Sequence, residues 1–204
     1  MKTYPDYLHA EKAAYDLLLS AHTPLPIRPM ALLEARARVV SYEEAAELLG
    51  LTSDDFERAM VRVDAFTVSE RDAHMVCYRA DGNPARRNFT LAHELGHIVL
   101  GHSEPGPAEE READHFASCL LMPEPVRRRI AARGDLNAED AAALCYMSVS
   151  AAQMAMKRRP TEADEATLRA LDELFSAQVE AAKPDATRLW PHELPGVSNF
   201  AKKS

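Results

Sequence analysis

Residues 90–102 read TLAHELGHIVLGH, and within them His93, Glu94 and His97 form the H-E-x-x-H pattern of a zinc-bound helix. At about 100° per residue, His97 lies roughly 40° around the helix from His93, and Glu94 about 100° from it. The three side chains therefore fill one wedge. Outside that wedge stand Leu91, Ala92, Leu95, Ile98 and Val99, so the helix reads as buried. Two imidazoles and a carboxylate buried together must be satisfied, because an unpaired buried polar group costs about 1–3 kcal/mol. A divalent metal satisfies all three. The competing reading is two core histidines and a surface glutamate; the apolar surroundings favour the metal, as does Gly96, small enough for a neighbour to approach the metal face. A second H-E pair, His192-Glu193, has Gly196 where the second histidine would stand, and Pro191 and Pro195 exclude a helix there.

The 204 residues suggest one domain, or one with a small appendage, and can bury a real core. A net charge of −8 argues against wholesale nucleic-acid binding. Cys77, Cys119 and Cys145 are odd in number and far apart, which fits reduced thiols in the cytoplasm rather than a disulfide frame. The opening MKTYPDYLHAEKA has no apolar signal core, and no stretch approaches the roughly 18 apolar residues of a membrane span.

Residues 6–20 read as a first helix, and Pro24, Pro26 and Pro29 then force an extended connection. A short helix over 30–36, a strand at Val39 and Val40, and a helix over 42–49 stopped by Gly50 follow. Ser53 reads as the N-cap of a helix running through residue 61, with Asp54 and Asp55 in its first turn. The β-rich runs 65–69 and 74–79, with a turn signal at 81–84, predict a small antiparallel sheet immediately before the metal helix. One edge of that sheet would lie near the metal, where it could hold an extended peptide by main-chain hydrogen bonds. His74, beside a turn, reads as a surface residue.

Gly101 should end the metal helix. Extrapolated along that helix, His102 points about 180° from His93. It could coordinate only if the chain bends sharply at Gly101, and it reads instead as a helix-end histidine interacting with the terminal carbonyls. The next helix opens after Gly106-Pro107 and stops at Pro123, with an apolar stripe of Ala113, Phe116, Ala117, Leu120 and Leu121. A catalytic zinc takes three protein ligands and an open water position, and two histidines with one glutamate from a following helix is a known set. Glu109, Glu110 and Glu112 all flank the stripe, and periodicity does not choose among them.

Arg87-Asn88-Phe89-Thr90 running into AHELGH, followed by EADHFASCLLMP from Glu112 to Pro123, resembles the ImmA/IrrE family of zinc metallopeptidases. The likeness is clear over residues 65–123 and faint elsewhere. It implies that Glu112, the glutamate of the E-A-x-x-F-A block, is the third ligand beside His93 and His97. It further implies a bound Zn2+ and a soluble endopeptidase whose protein substrate is a helix-turn-helix repressor, cut to release mobile-element or stress-response genes. The chain looks too short to carry the further sensor domain of larger members.

Beyond residue 125, Arg127, Arg128, Arg129 and Arg133 form a local basic cluster. Residues 137–159 read as helix, turn, helix, with Ser150 as the second N-cap and Pro160 as the stop. A helix that reads DNA presents polar side chains to base edges; here Ala151, Ala152, Met154, Ala155 and Met156 offer few, with Gln153 the exception. A packing or partner-binding hairpin is favoured, with weak nucleic-acid binding at most. An amphipathic helix from Thr161 carries Leu168, Leu171 and Phe175 and ends at Lys183-Pro184, and Trp190 could anchor the tail.

The expected fold is therefore α+β: a zincin-like metallopeptidase core over residues 1–125, a helical C-terminal region over 126–183, and a tail over 184–204. His93 and His97 are candidate metal ligands with Glu112 by resemblance, and Glu94 is the candidate general base. The rival reading is a non-proteolytic regulatory protein whose metal is structural or sensory, a purely structural site closing its fourth position with a protein ligand such as His102. A third is a toxin–antitoxin partner, in which binding matters and cutting is incidental.

Overall fold

A computed structural model describes residues 4–60, 63–71, 73–103 and 106–184. Asp6 accepts the His9 N–H and so starts α1 (Tyr7–Ala21), which buries Ala10, Ala14, Tyr15, Leu17 and Leu18. Helix α2 (Pro29–Glu34) begins with proline, whose missing N–H costs nothing in a first turn. Strand β1 (Arg38–Ser41) leads into α3 (Tyr42–Leu49), where Ser41 and Glu44 cap each other's backbone. The cap of α4 (Ser53–Ala59) is Thr52, one residue before the expected Ser53, and the helix ends short of residue 61. Thr and Ser are both competent caps, and the Thr52 hydroxyl is the one that meets the Asp55 N–H.

Strands β2 (Ala65–Glu70) and β3 (Ala73–Tyr78) form the expected antiparallel hairpin, but the sheet is mixed. Its order is β1-β3-β2, and β1 runs parallel to β3, with Val39 opposite Val76. The chain between β1 and β3 passes through α3, α4 and β2, long enough for the crossover that parallel pairing requires. Strand β2 lies at one edge of the sheet.

Helix α5 (Pro84–Leu100) carries the H-E-x-x-H pattern and opens on Asn83, whose side chain accepts the Ala85 and Arg86 N–H groups. Gly101, at φ 71, ends it in the left-handed region. Helix α6 (Pro107–Leu121) then returns along α5. The two helices approach closely at Gly96, where an added Cβ would lie 3.1 Å from Phe116 Cδ1 and 3.2 Å from Ala113 Cα. Asn88 ties α5 to two connections through its Nδ2, which donates to the carbonyls of Ile27 and Tyr146, each at 3.2 Å.

The arginine run that carried no expected element is helix α7 (Glu124–Arg133), with Pro125 accommodated in its first turn. Helices α8 (Ala138–Cys145) and α9 (Val149–Met156) form the expected hairpin, although Ser148 rather than Ser150 caps the second by accepting the Ala151 N–H. Tyr146 makes the turn at φ 53. Helix α10 (Glu165–Ala181) starts after the cap Asp164 rather than at Thr161. Buried residues of α1, α5, α6, α7, α8, α9 and α10 belong to one core, and a smaller cluster under α3 and α4 holds Val40, Tyr42, Phe56 and Cys77. Cys77, Cys119 and Cys145 are buried free thiols. Among the described residues no helix is long and apolar enough to cross a membrane. Trp190, His192 and Glu193 lie outside the described residues.

Candidate metal centre

Because α5 and α6 run back along each other, each can present an i, i+4 pair to its neighbour. His93 and His97 come from α5, and Glu110 and Asp114 from α6. His93 Nε2 and His97 Nε2 face each other at 2.9 Å. Glu110 places one carboxylate oxygen 3.4 Å from His93 Nε2 and the other 3.5 Å from His97 Nε2. These three side chains converge closely enough to hold one metal ion.

The outer nitrogens of both rings are held as well. His93 Nδ1 lies 2.9 Å from Asp114 Oδ1, so its N–H donates to the carboxylate and its Nε2 keeps a lone pair. His97 Nδ1 meets His102 Nδ1 at 2.9 Å, and His102 Nε2 meets Glu112 Oε2 at 3.1 Å. If each imidazole donates outward, the chain runs from His97 through His102 to Glu112, and His97 Nε2 also keeps its lone pair. The left-handed turn at Gly101 brings His102 back beside His97, so its ring braces that histidine instead of pairing with the terminal carbonyls as expected.

The three glutamates left open by periodicity are separated by tertiary structure. Glu109 accepts the Gly106 N–H at 3.0 Å and caps α6. Glu110 turns toward α5 with half of its side chain exposed (51%). Glu112, about 200° around the helix from Glu110, is 1% exposed, and its carboxylate takes His102 Nε2 and the Asp6 N–H. The resemblance assigned Glu112 to the third ligand position; in the structure Glu110 is the α6 carboxylate beside both Nε2 atoms.

Glu94 stands beside the pair without joining it. Thr67, on β2, donates its hydroxyl to Glu94 Oε2 at 2.6 Å. Burial pushes the Glu94 carboxyl above the usual carboxylate range, while the Thr67 hydrogen bond and His93 pull the other way. Burial, then the nearby His93 and His102, pushes His97 down to about 4. Burial opposes protonation of His93 too, but the Asp114 hydrogen bond and the carboxylate charges outweigh it and raise that imidazole. The donor set, two imidazole nitrogens and one carboxylate, fits a zinc-class ion.

The IrrE N-terminal-like domain, peptidase M78, matches residues 51–157. The chain belongs to this family. The peptidase M78 family implies a metallopeptidase with a protein substrate, and the matched span runs from α4 to α9, enclosing His93, Glu94, His97, His102, Glu110 and Asp114. Neither the curated proteins nor the solved structures gave a match to the chain. Sequence reasoning missed Thr67 and Asp114. The second had a signal: Glu110 and Asp114 repeat on α6 the four-residue spacing of the histidines on α5.

The basic cluster of α7 is largely neutralised within the fold. Arg127 and Arg128 pair with Glu124, Arg129 with Asp172 and Glu180, and Arg133 with Asp135. On α9, Ser150, Gln153 and Met154 are exposed, as is the C-cap Lys157, while Ala152 and Ala155 are buried. This face offers one hydroxyl, one amide and one cation to a nucleic acid.

Proposed function

We propose that this peptidase M78 chain is a zinc-dependent endopeptidase of the H-E-x-x-H type and that its substrate is a helix-turn-helix transcriptional repressor. The observation that carries the metal assignment is the 2.9 Å approach of His93 Nε2 and His97 Nε2 beside both oxygens of Glu110. Two imidazole lone pairs at that separation repel each other unless a proton or a cation lies between them. Asp114 and the His102–Glu112 pair aim those lone pairs inward.

When bound, zinc would polarise the scissile carbonyl and lower the pKa of a water toward neutrality. His93, His97 and Glu110 hold the ion in this reading. Glu94 takes the proton from the attacking water and delivers it to the leaving amine nitrogen. Thr67 engages one oxygen of that carboxylate and leaves Oε1 for the proton. The same residue belongs to the edge strand β2, so an extended substrate segment paired along this edge would pass beside Glu94. A purely structural metal has no use for a carboxylate held in this way next to its ligands.

The experiment has two arms. Zinc content is measured for Glu109→Gln, Glu110→Gln and Glu112→Gln; Glu110→Gln should lose the most. Full zinc in Glu110→Gln with loss in Glu112→Gln would return the third position to Glu112. In the second arm, a helix-turn-helix repressor from the same genome is co-expressed with native protein or Glu94→Gln. Cleavage should fall by about 10²- to 10⁴-fold with zinc retained. Wild-type cleavage by zinc-loaded Glu94→Gln would remove Glu94 from the mechanism, and an intact repressor beside the native protein would remove the repressor as substrate.

A further inference from the structure

A second cluster of metal-ligating groups joins α1 to α6, and none of its members faces the His93–His97 pair. Glu11 projects from α1, and His115 and Cys119 stand four apart on α6. One donor atom from each lies within 4.8 Å of the other two. Glu11 is 6% exposed and Cys119 fully buried. Glu11 Oε1 accepts the Tyr15 hydroxyl at 3.0 Å and is 4.0 Å from Cys119 Sγ. The His115 ring packs against Tyr7, with centroids 4.9 Å apart. Among the described residues neither of its ring nitrogens is hydrogen-bonded.

We propose that Glu11, His115 and Cys119 form a second metal site, of zinc class, that clamps α1 onto α6. With metal–nitrogen and metal–oxygen bonds of about 2.0–2.2 Å and a metal–sulfur bond of about 2.3 Å, tetrahedral ligand atoms stand roughly 3.3–3.8 Å apart. The cluster therefore needs to contract by about 1 Å, which side-chain torsions can supply. A thiolate, an imidazole and a carboxylate together select zinc or cobalt over magnesium or calcium. Burial, then Arg158, holds His115 down at about 4, so its imidazole is neutral and ready to ligate at neutral pH. Burial pushes the Cys119 thiol up to about 12, so ligation must displace its proton to solvent. The metal-free alternative is the hydrogen-bonded set Tyr15–Glu11–Cys119, which satisfies the carboxylate but leaves His115 outside it.

The site would act on the peptidase centre only through position. Helix α6 also carries Glu110 and Asp114, and α1 lies outside the span matched by the family. A clamp between them would fix the helix that faces α5 without touching the reacting atoms.

The test uses the full chain, first without substitution and then as His93→Ala/His97→Ala, which removes the other site. Each protein is stripped of metal and titrated with Zn2+ and, separately, with Co2+ under reducing conditions. The unsubstituted chain should take up about two equivalents, and the double variant about one. The cobalt form of the double variant should show a thiolate-to-cobalt charge-transfer band in the near ultraviolet, and adding Cys119→Ser should abolish both the band and the remaining equivalent. Absence of the band from helical, folded double variant overturns the proposal, and so does a band that survives Cys119→Ser. Should the double variant fail to fold, the band is sought in the unsubstituted chain at saturating cobalt, where its absence likewise overturns the proposal. The result is independent of whether the His93–His97 centre cleaves a repressor.

Discussion

Gly96→Ala tests whether the α5–α6 approach holds the metal centre in register. The added Cβ would lie 3.1 Å from Phe116 Cδ1, 3.2 Å from Ala113 Cα and 3.3 Å from Ala113 O. Carbon pairs settle at about 3.5–4.0 Å, so α6 must retreat by roughly half an ångström. Two of the three obstacles are backbone, and Phe116 is fully buried, so no side chain can swing aside. Alanine gains about 0.8–1.0 kcal/mol of helix propensity over glycine, against about 1–3 kcal/mol for overpacking. The net expectation is a loss of about 0–2 kcal/mol. At about 2–4 °C per kcal/mol for a chain of this size, the metal-free protein should melt up to about 8 °C lower. The site should suffer more than the fold. Metal–ligand distances tolerate only about ±0.2 Å, and the retreat carries Glu110 and Asp114 away from both histidines, so zinc affinity should fall at least about tenfold. Thermal unfolding of the metal-free protein and zinc competition against a chelator measure the two effects. An alanine variant that melts higher and binds zinc as tightly as the native protein would refute the reasoning, because α5 and α6 would not then be in limiting contact at this point.

Asp114→Ala should weaken zinc binding by about 10- to 100-fold while leaving the helices folded, since it removes the carboxylate that orients His93; chelator competition with circular dichroism checks it. Thr67→Val should keep zinc but lower turnover by about 10- to 100-fold, the equivalent of a hydrogen bond to a charged group worth about 1.5–3 kcal/mol; unchanged turnover would show that Glu94 needs no support from β2. Asp172 is held below the usual carboxylate range by hydrogen bonds from Arg129, at 2.5 and 2.6 Å. A depressed carboxyl contributes stability above its unfolded pKa and loses it as pH falls through its folded value. Asp172→Asn should therefore lower the melting temperature at neutral pH, with the difference shrinking toward zero in strong acid; a difference that persists there would point to lost packing instead.

The sequence by itself determined that His93, Glu94 and His97 share one helix and one wedge of it, because the 3.6-residue period fixes their relative directions. Gly50 and Gly101 were legible as stops for the same local reason: each ends a helix in the left-handed region, where glycine carries no Cβ penalty. Cap positions slipped by one to four residues where neighbouring Thr, Ser and Asp residues compete for the same role, as at Thr52, Ser148 and Asp164. Parallel pairing of β1 with β3 left no local mark, since direction depends on where the intervening chain travels. The roles of Glu109, Glu110 and Glu112 also lay beyond periodicity, because all three flank one apolar stripe. Only the return of α6 along α5, allowed by Gly101 and drawn close at Gly96, decided which carboxylate caps, which faces the histidines and which is buried against His102. Thr67 is further still from local reading, as it meets Glu94 across 27 residues through the packing of a sheet edge on a helix.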